Sequence, residues 1–308
     1  MTTRFRFGVS AGTVTDPVEL VDLGRRAEEL GFATFGLPDH LDEQCGPLVG
    51  LTAVAAATER IRLTTLVLAA DYRNPAVLAK ELATLDRFSG GRLEWGIGAG
   101  WKTADYERAG IPLDPPGVRI DRLAETIRVI RSCFVGDEFS FEGTHHRVAG
   151  LTGMPRPTGM PPLLVGGGAP RILRLAATQA DIVGLNFSLA AGEFTTAAGS
   201  TGTAARTDEK VALVRAAAGD RFAHLELQTR LHAVFPTEDR DDFIEAMAPG
   251  FGLTPDEARE IPHALIGTPE EMCADIERWR QRWGISYLTC SATDMETLAP
   301  VVERLAGT

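Results

Sequence analysis

The chain has 308 residues, 44% hydrophobic and 24% charged, enough to bury a large core in one big domain or two small ones. Its formal net charge of −11, with no lysine or arginine run to offset it, argues against nucleic acid or an anionic membrane as partner. Cys45, Cys133, Cys273 and Cys290 form no C-x-x-C pair, and no window approaches the roughly 18 uncharged apolar residues of a membrane helix, so the expectation is a cytoplasmic protein without zinc site or disulfide framework.

In chain order, β-rich runs alternate with helix-period runs. Strands are predicted at 4–10, 33–37, 61–69, 92–100, 162–167, 181–186, 225–235 and 286–290. Between them lie helical segments, several opened by a capping side chain before proline (Asp16-Pro17, Asn74-Pro75, Thr268-Pro269) and closed by glycine (Gly31, Gly219, Gly284). Roughly eight βα units in this length predict an α/β fold, a single (β/α)8 TIM barrel over 1–308, with a doubly wound sheet as the alternative. Insertions fall near 139–160, which contains a hairpin with a turn at Glu142-Gly143, near 188–207, rich in Ala, Thr and Gly, and at 237–265, with two short helices.

In such a barrel the chemistry gathers at the carboxyl ends of the strands. "ATFGLPDHL" ends its strand on Asp39 and His40, which either cap and pack or serve a site. "LVLAADYRNP" ends on Asp71, Tyr72 and Arg73; Arg73 could hold an anion or form a helix-end salt bridge. Gly96, Gly98 and Gly100 alternate along the fourth strand, which either admits a flat ligand to the backbone or makes room for neighbouring side chains. Gly166, Gly167 and Gly168 stand between a strand and a helix with Arg171 in its first turn, the make-up of an anion cradle, although the spacing matches neither Walker A nor G-x-G-x-x-G. A planar ring with a phosphate tail fits both glycine groups. Strand seven alternates Glu226, Gln228, Arg230 and His232 with apolar residues, as a half-polar lumen would require. No metal constellation is apparent.

These segments, above all Asn74–Trp101, resemble the bacterial-luciferase-like flavin and deazaflavin oxidoreductases, and within them the branch that uses coenzyme F420. The resemblance implies that Asp39-His40 lies beside the cofactor ring and that Leu66-Val67 forms a bulge with a cis peptide behind it. It further implies that Gly98, Ala99, Gly100 and Trp101 form the loop over the ring, that Gly166–Gly168 cradle its phosphate, and that Asn186 lies near the cofactor. His40 is then the expected catalytic residue, and Tyr72, Trp101 and Arg230 are candidate substrate contacts. The sequence departs from the sugar-phosphate dehydrogenases of that branch at Trp101, at "LDEQC" and at Ala11-Gly12, so their acid/base groups and substrate do not carry over. The implied activity is hydride transfer between deazaflavin C5 and a small organic molecule. An FMN-dependent monooxygenase and a non-catalytic cofactor-binding protein stay open as alternatives. A helix apolar around most of its surface, 46–59, together with the resemblance, predicts a homodimer.

Overall fold

Eight of the β-rich runs become the strands β1 (Arg6–Ser10), β2 (Thr34–Leu37), β3 (Arg62–Thr65), β4 (Leu93–Gly98), β5 (Leu163–Gly167), β6 (Ile182–Leu185), β7 (Glu226–Arg230) and β8 (Ile285–Ser291) in the computed structural model, which describes residues 4–189, 192 and 196–308. The order in the sheet is β3, β2, β1, β8, β7, β6, β5, β4, and β3 also pairs with β4, the cyclic order of a (β/α)8 barrel. Part of the predicted 188–207 insertion, residues 190–191 and 193–195, lies outside the described residues. Among those described, no helix is long and apolar enough to cross a membrane and no cluster of ligands could hold a metal ion.

The chain divides into two compact units. One comprises the chain through Ser10, Arg26–Phe35 and Val165–Thr308. Here β8 pairs in parallel with β1 and β7, and β7 with β6. Alternate side chains stack in layers. Arg6 donates to both Glu226 oxygens at 3.0 and 2.7 Å and lies over Tyr287, while the Tyr287 hydroxyl bonds Thr34 at 2.7 Å. One layer nearer the carboxyl ends, Gln228 donates to Thr289 at 2.8 Å. Gly8 is required between these layers, because a Cβ there would come within 2.2 Å of the Thr34 hydroxyl oxygen.

The predicted strand 225–235 is corrected to two. β7 ends at Arg230, and Ala233–Pro236 pairs instead with Ala264–Gly267, a strand absent from the sequence reading. Leu231 N–H still donates to Thr289, but His232 N–H donates to the His263 carbonyl, so the backbone changes partner at that step. Apolar alternation continues through the switch and cannot report it. The two short helices expected in this insertion are Arg240–Met247 and Pro255–Glu260, the second opened by a Thr254/Glu257 capping box.

The other unit comprises Ala11–Arg25 and Gly36–Leu164. β3 pairs with β4, and β4 with the start of β5. The predicted strand 61–69 is interrupted at Leu66-Val67, whose peptide bond is cis, before pairing resumes at Leu68–Ala69. The hairpin is present as Glu138–Glu142 with Arg147–Thr152, its turn amides held by the Glu125 carboxylate at 2.8–2.9 Å.

Candidate active site

In the Gly36–Leu164 unit, β2 delivers Asp39 and His40 past its carboxyl end. The two side chains take different tasks. Asp39 is buried, and its carboxylate accepts from both Arg73 terminal nitrogens at 2.5 and 2.8 Å and from the Ala69 amide at 3.0 Å. Arg73 is therefore the helix-end ion pair rather than a free anion holder, and Asp39 fixes the backbone on which His40 stands. A bidentate, desolvated pair of this kind is positional; breaking it by removing one partner costs about 3–5 kcal/mol.

His40 points its Nδ1 at Asp105 Oδ2, 2.8 Å away. Asp105 is fully buried in the short helix Thr103–Ala109, and its Oδ1 has no hydrogen-bond partner. A carboxylate only accepts, so Nδ1 carries the proton and the lone pair of His40 stays on Nε2, for which the described residues provide no partner. Trp101 stands edge-on to the imidazole, with ring centroids 5.4 Å apart at 87°. The Gln44 amide donates to the His40 carbonyl at 2.7 Å. Asp105 is not among the candidates that the sequence offers. It arrives from a helix two strands later, where "TADYERA" looks like any exposed polar turn.

The loop after β4 is pinned from below. The Arg119 guanidinium, from the helix Pro116–Val135, donates to the carbonyls of Ala99 at 3.2 Å and Asp114 at 2.8 Å, and to that of Gly100. Gly100 has φ +72°, and a Cβ there would come within 1.7 Å of the Tyr106 hydroxyl, itself bonded to Asp71 at 2.9 Å. The other strand glycines have a packing cause of their own. A Cβ on Gly96 would meet the Thr65 carbonyl at 2.1 Å, and one on Gly98 would meet Val67 at 3.0 Å. They make room for the Leu66-Val67 bulge. Tyr72 packs on Tyr106, and desolvation followed by the charge of Asp105 raises its phenol pKa, so it stays a neutral donor.

The Val165–Thr308 part of the other unit carries the remaining predicted residues. Gly167 and Gly168 leave no room for side chains: a Cβ would come within 2.4 Å of Ile172 and 2.3 Å of the Phe187 backbone. The turn they make ends at Ala169, and the helix Pro170–Gln179 begins there with no side-chain cap. Helices at Asn74, Thr203, Thr254 and Thr268 do have one. Uncapped first-turn amides beside glycine backbone are a donor set for an anion, with the exposed Arg171 guanidinium in the same turn. Asn186 lies at the end of β6, its carbonyl accepting from the buried Lys210 at 2.7 Å and its Oδ1 from Phe187 N–H at 2.8 Å. His232 Nε2 is 3.2 Å from the same Oδ1. Burial lowers the Lys210 pKa to about 8. Arg230 ends β7, half-buried.

A family model described as luciferase-like monooxygenase matches residues 1–287. An F420-dependent glucose-6-phosphate dehydrogenase of Microbacterium testaceum is 35% identical over 190 residues, which span 59% of this chain and 56% of that protein. The chain thus spans about half the length of the curated relatives it matches. Two solved structures share the fold: an F420-dependent tetrahydromethanopterin reductase from Methanopyrus kandleri, with TM-score 0.79, 18% identity and 99% of each chain covered, and an F420-dependent secondary alcohol dehydrogenase in complex with an F420-acetone adduct, with TM-score 0.77, 19% identity and 98% of each chain covered.

Proposed function

Because the chain belongs to the luciferase-like monooxygenase family, and its strand-two histidine is oriented by a buried carboxylate, we propose that it is an F420-dependent oxidoreductase acting on a small organic substrate. The observation that carries this reading is the Asp105–His40 pair, with no partner for Nε2 among the described residues; the named activities of the relative and of the two structural neighbours agree with it.

The residues present fit the cofactor. Gly166–Gly168 and the uncapped first turn with Arg171 suit its phosphate. Asp39, His40, the Leu66-Val67 bulge, Gly98–Trp101 and Asn186 are the residues assigned to its ring. When bound, the deazaflavin supplies a C5 centre that accepts or gives hydride. The protein's own part is proton handling and exclusion of water. His40 takes a proton at Nε2 from a substrate hydroxyl as the alcohol is oxidised, or returns it in the reverse direction, while Asp105 keeps Nδ1–H in place and stabilises the imidazolium. Trp101 walls the imidazole on one side, and Tyr72 and Trp101 are the substrate contacts in this reading.

Single-turnover absorbance of bound reduced F420 against a panel of ketones, enones and imines tests the assignment. Reoxidation by at least one acceptor, lost in His40→Ala, is the expected result; no reoxidation by any of them would favour a non-catalytic carrier. The family description, a monooxygenase, favours as second reading the FMN-dependent monooxygenase that the sequence left open.

The reading also includes a cytoplasmic homodimer. Val49 and Val77 are 80% and 56% exposed on the neighbouring helices Pro47–Ala57 and Pro75–Phe88, an apolar face suited to a second copy. Static light scattering giving twice the 33.1 kDa chain mass is the expected outcome.

A further inference from the structure

Arg230 is out of keeping with the other partly buried arginines. Arg62 is paired with Glu94, Arg73 with Asp39 and Arg240 with Asp275, while Arg119 lies among backbone carbonyls. The guanidinium of Arg230 has neither a hydrogen bond nor an ion pair among the described residues. It belongs to the lumen-facing set of β7. Two residues earlier on that face Gln228 bonds Thr289, and two earlier again Glu226 neutralises Arg6, so the lower layers are satisfied and the one at the carboxyl end of the strand is not.

The groups near it form no ion pair with it among the described residues. Burial pushes the Cys290 thiol up to about 12, so it is neutral, and Asp294 is sensed electrostatically without coming within ion-pairing distance. Desolvation and the Arg230 charge hold His232 in its neutral form. Burial lowers the pKa of Arg230 itself, yet a guanidinium remains protonated at working pH. A half-buried guanidinium at a strand end, without a hydrogen bond or ion pair among the described residues, is a group that a ligand of opposite charge can complete. A chain of net charge −11 gathers no anions through its long-range field, so an anionic ligand needs a local fixed cation.

We propose that Arg230 binds an anionic group, a carboxylate or phosphate, of the acceptor substrate, which makes this an enzyme for acidic small molecules. The inference rests on the oxidoreductase reading, but its first test needs no cofactor. Calorimetric titration compares benzoate with benzamide, alike in shape and different in charge, on wild type and on Arg230→Met. Wild type is expected to bind benzoate at least about tenfold more tightly than benzamide, from charge-assisted hydrogen bonds to the guanidinium. Arg230→Met should lose that preference, and Arg230→Lys should recover part of it. The melting temperature of Arg230→Met should stay level or rise, since no native partner is lost.

The turnover arm uses 4-formylbenzoate and 4-formylbenzamide, with the same preference expected in kcat/KM and abolished by Arg230→Met. No preference in wild type, a preference that survives Arg230→Met, or a marked fall in melting temperature would each overturn the proposal. So would a tenfold loss of F420 affinity in Arg230→Met without any change in benzoate binding, because the anion held would then be the cofactor's. Failure of the oxidoreductase reading shows separately, as wild type that binds no deazaflavin.

Discussion

Asp105→Asn is the sharpest perturbation of the proposed chemistry. The Nδ1···Oδ2 contact is 2.8 Å long and Asp105 is fully buried, so it is a desolvated hydrogen bond to a charged group, of the class worth about 1.5–3 kcal/mol. If that energy is realised while imidazolium develops, its loss lowers kcat by roughly ten- to a hundredfold, at about 1.4 kcal/mol per factor of ten. An asparagine that offers its N–H to Nδ1 also places the wrong tautomer at Nε2. The fold should survive with a modest loss of stability: the replacement is isosteric and Oδ1 makes no hydrogen bond, but its charge pair with Lys102 at 3.8 Å is lost. The assay is steady-state F420 absorbance, with kcat, KM and a pH–rate profile measured beside thermal melts. His40→Ala should lower turnover by about a hundredfold or more with cofactor affinity within tenfold, and Asp105→Asn should share that split with a shifted pH profile. Turnover of Asp105→Asn within threefold of wild type, in a protein that melts normally, would refute the dyad.

Three further outcomes follow from particular contacts. Ala169→Asp gives the helix Pro170–Gln179 the cap it lacks, so the protein should gain about 0.5–1 kcal/mol while its affinity for cofactor falls by about 2 kcal/mol; unchanged affinity in a calorimetric titration would remove the cradle. This replacement tests the anion site better than a change at Gly167, where any Cβ meets Ile172. Asp39→Ala leaves Arg73 without its carboxylate and the Ala69 amide without an acceptor, and should cost about 3–5 kcal/mol in denaturant unfolding; a loss under 1 kcal/mol would contradict the ion pair. Lys210 is pulled from 10.5 to about 8 in the folded protein, so between those values the unfolded chain holds more protons and stability rises with pH. Relative to Lys210→Met, wild type should gain up to about 3 kcal/mol from pH 7.5 to 10.5, the difference 10.5 − 8 at about 1.36 kcal/mol per unit. A flat difference would show that the two carbonyls it bonds, of Asn186 and Thr201, offset the burial.

The parts of this molecule that were legible in the sequence are those written in local pattern. Alternating strand and helix periods, with proline-primed helix starts such as Asn74-Pro75, predict the βα repeat, because each unit must bury one face against its neighbours. His40 is legible for the same reason: it sits at a strand end, where a barrel places its chemistry. What orients it is not. Asp105 becomes its partner through the path of the chain, not through spacing. Arg73 shows the limit from the other side, since sequence offers an anion site or an ion pair and only the fold brings Asp39 to it. The close packing of Gly96 and Gly98 against the bulge of the adjacent strand is likewise invisible in either strand alone.

Fluorescence titration of the purified protein with F420 and with FMN, side by side, bears most directly on the central claim. Saturable F420 binding at micromolar or lower concentration is expected, with FMN at least about tenfold weaker and F420 affinity reduced in Ala169→Asp. Tight FMN binding with no binding of F420 would contradict that claim and leave the FMN monooxygenase reading in its place.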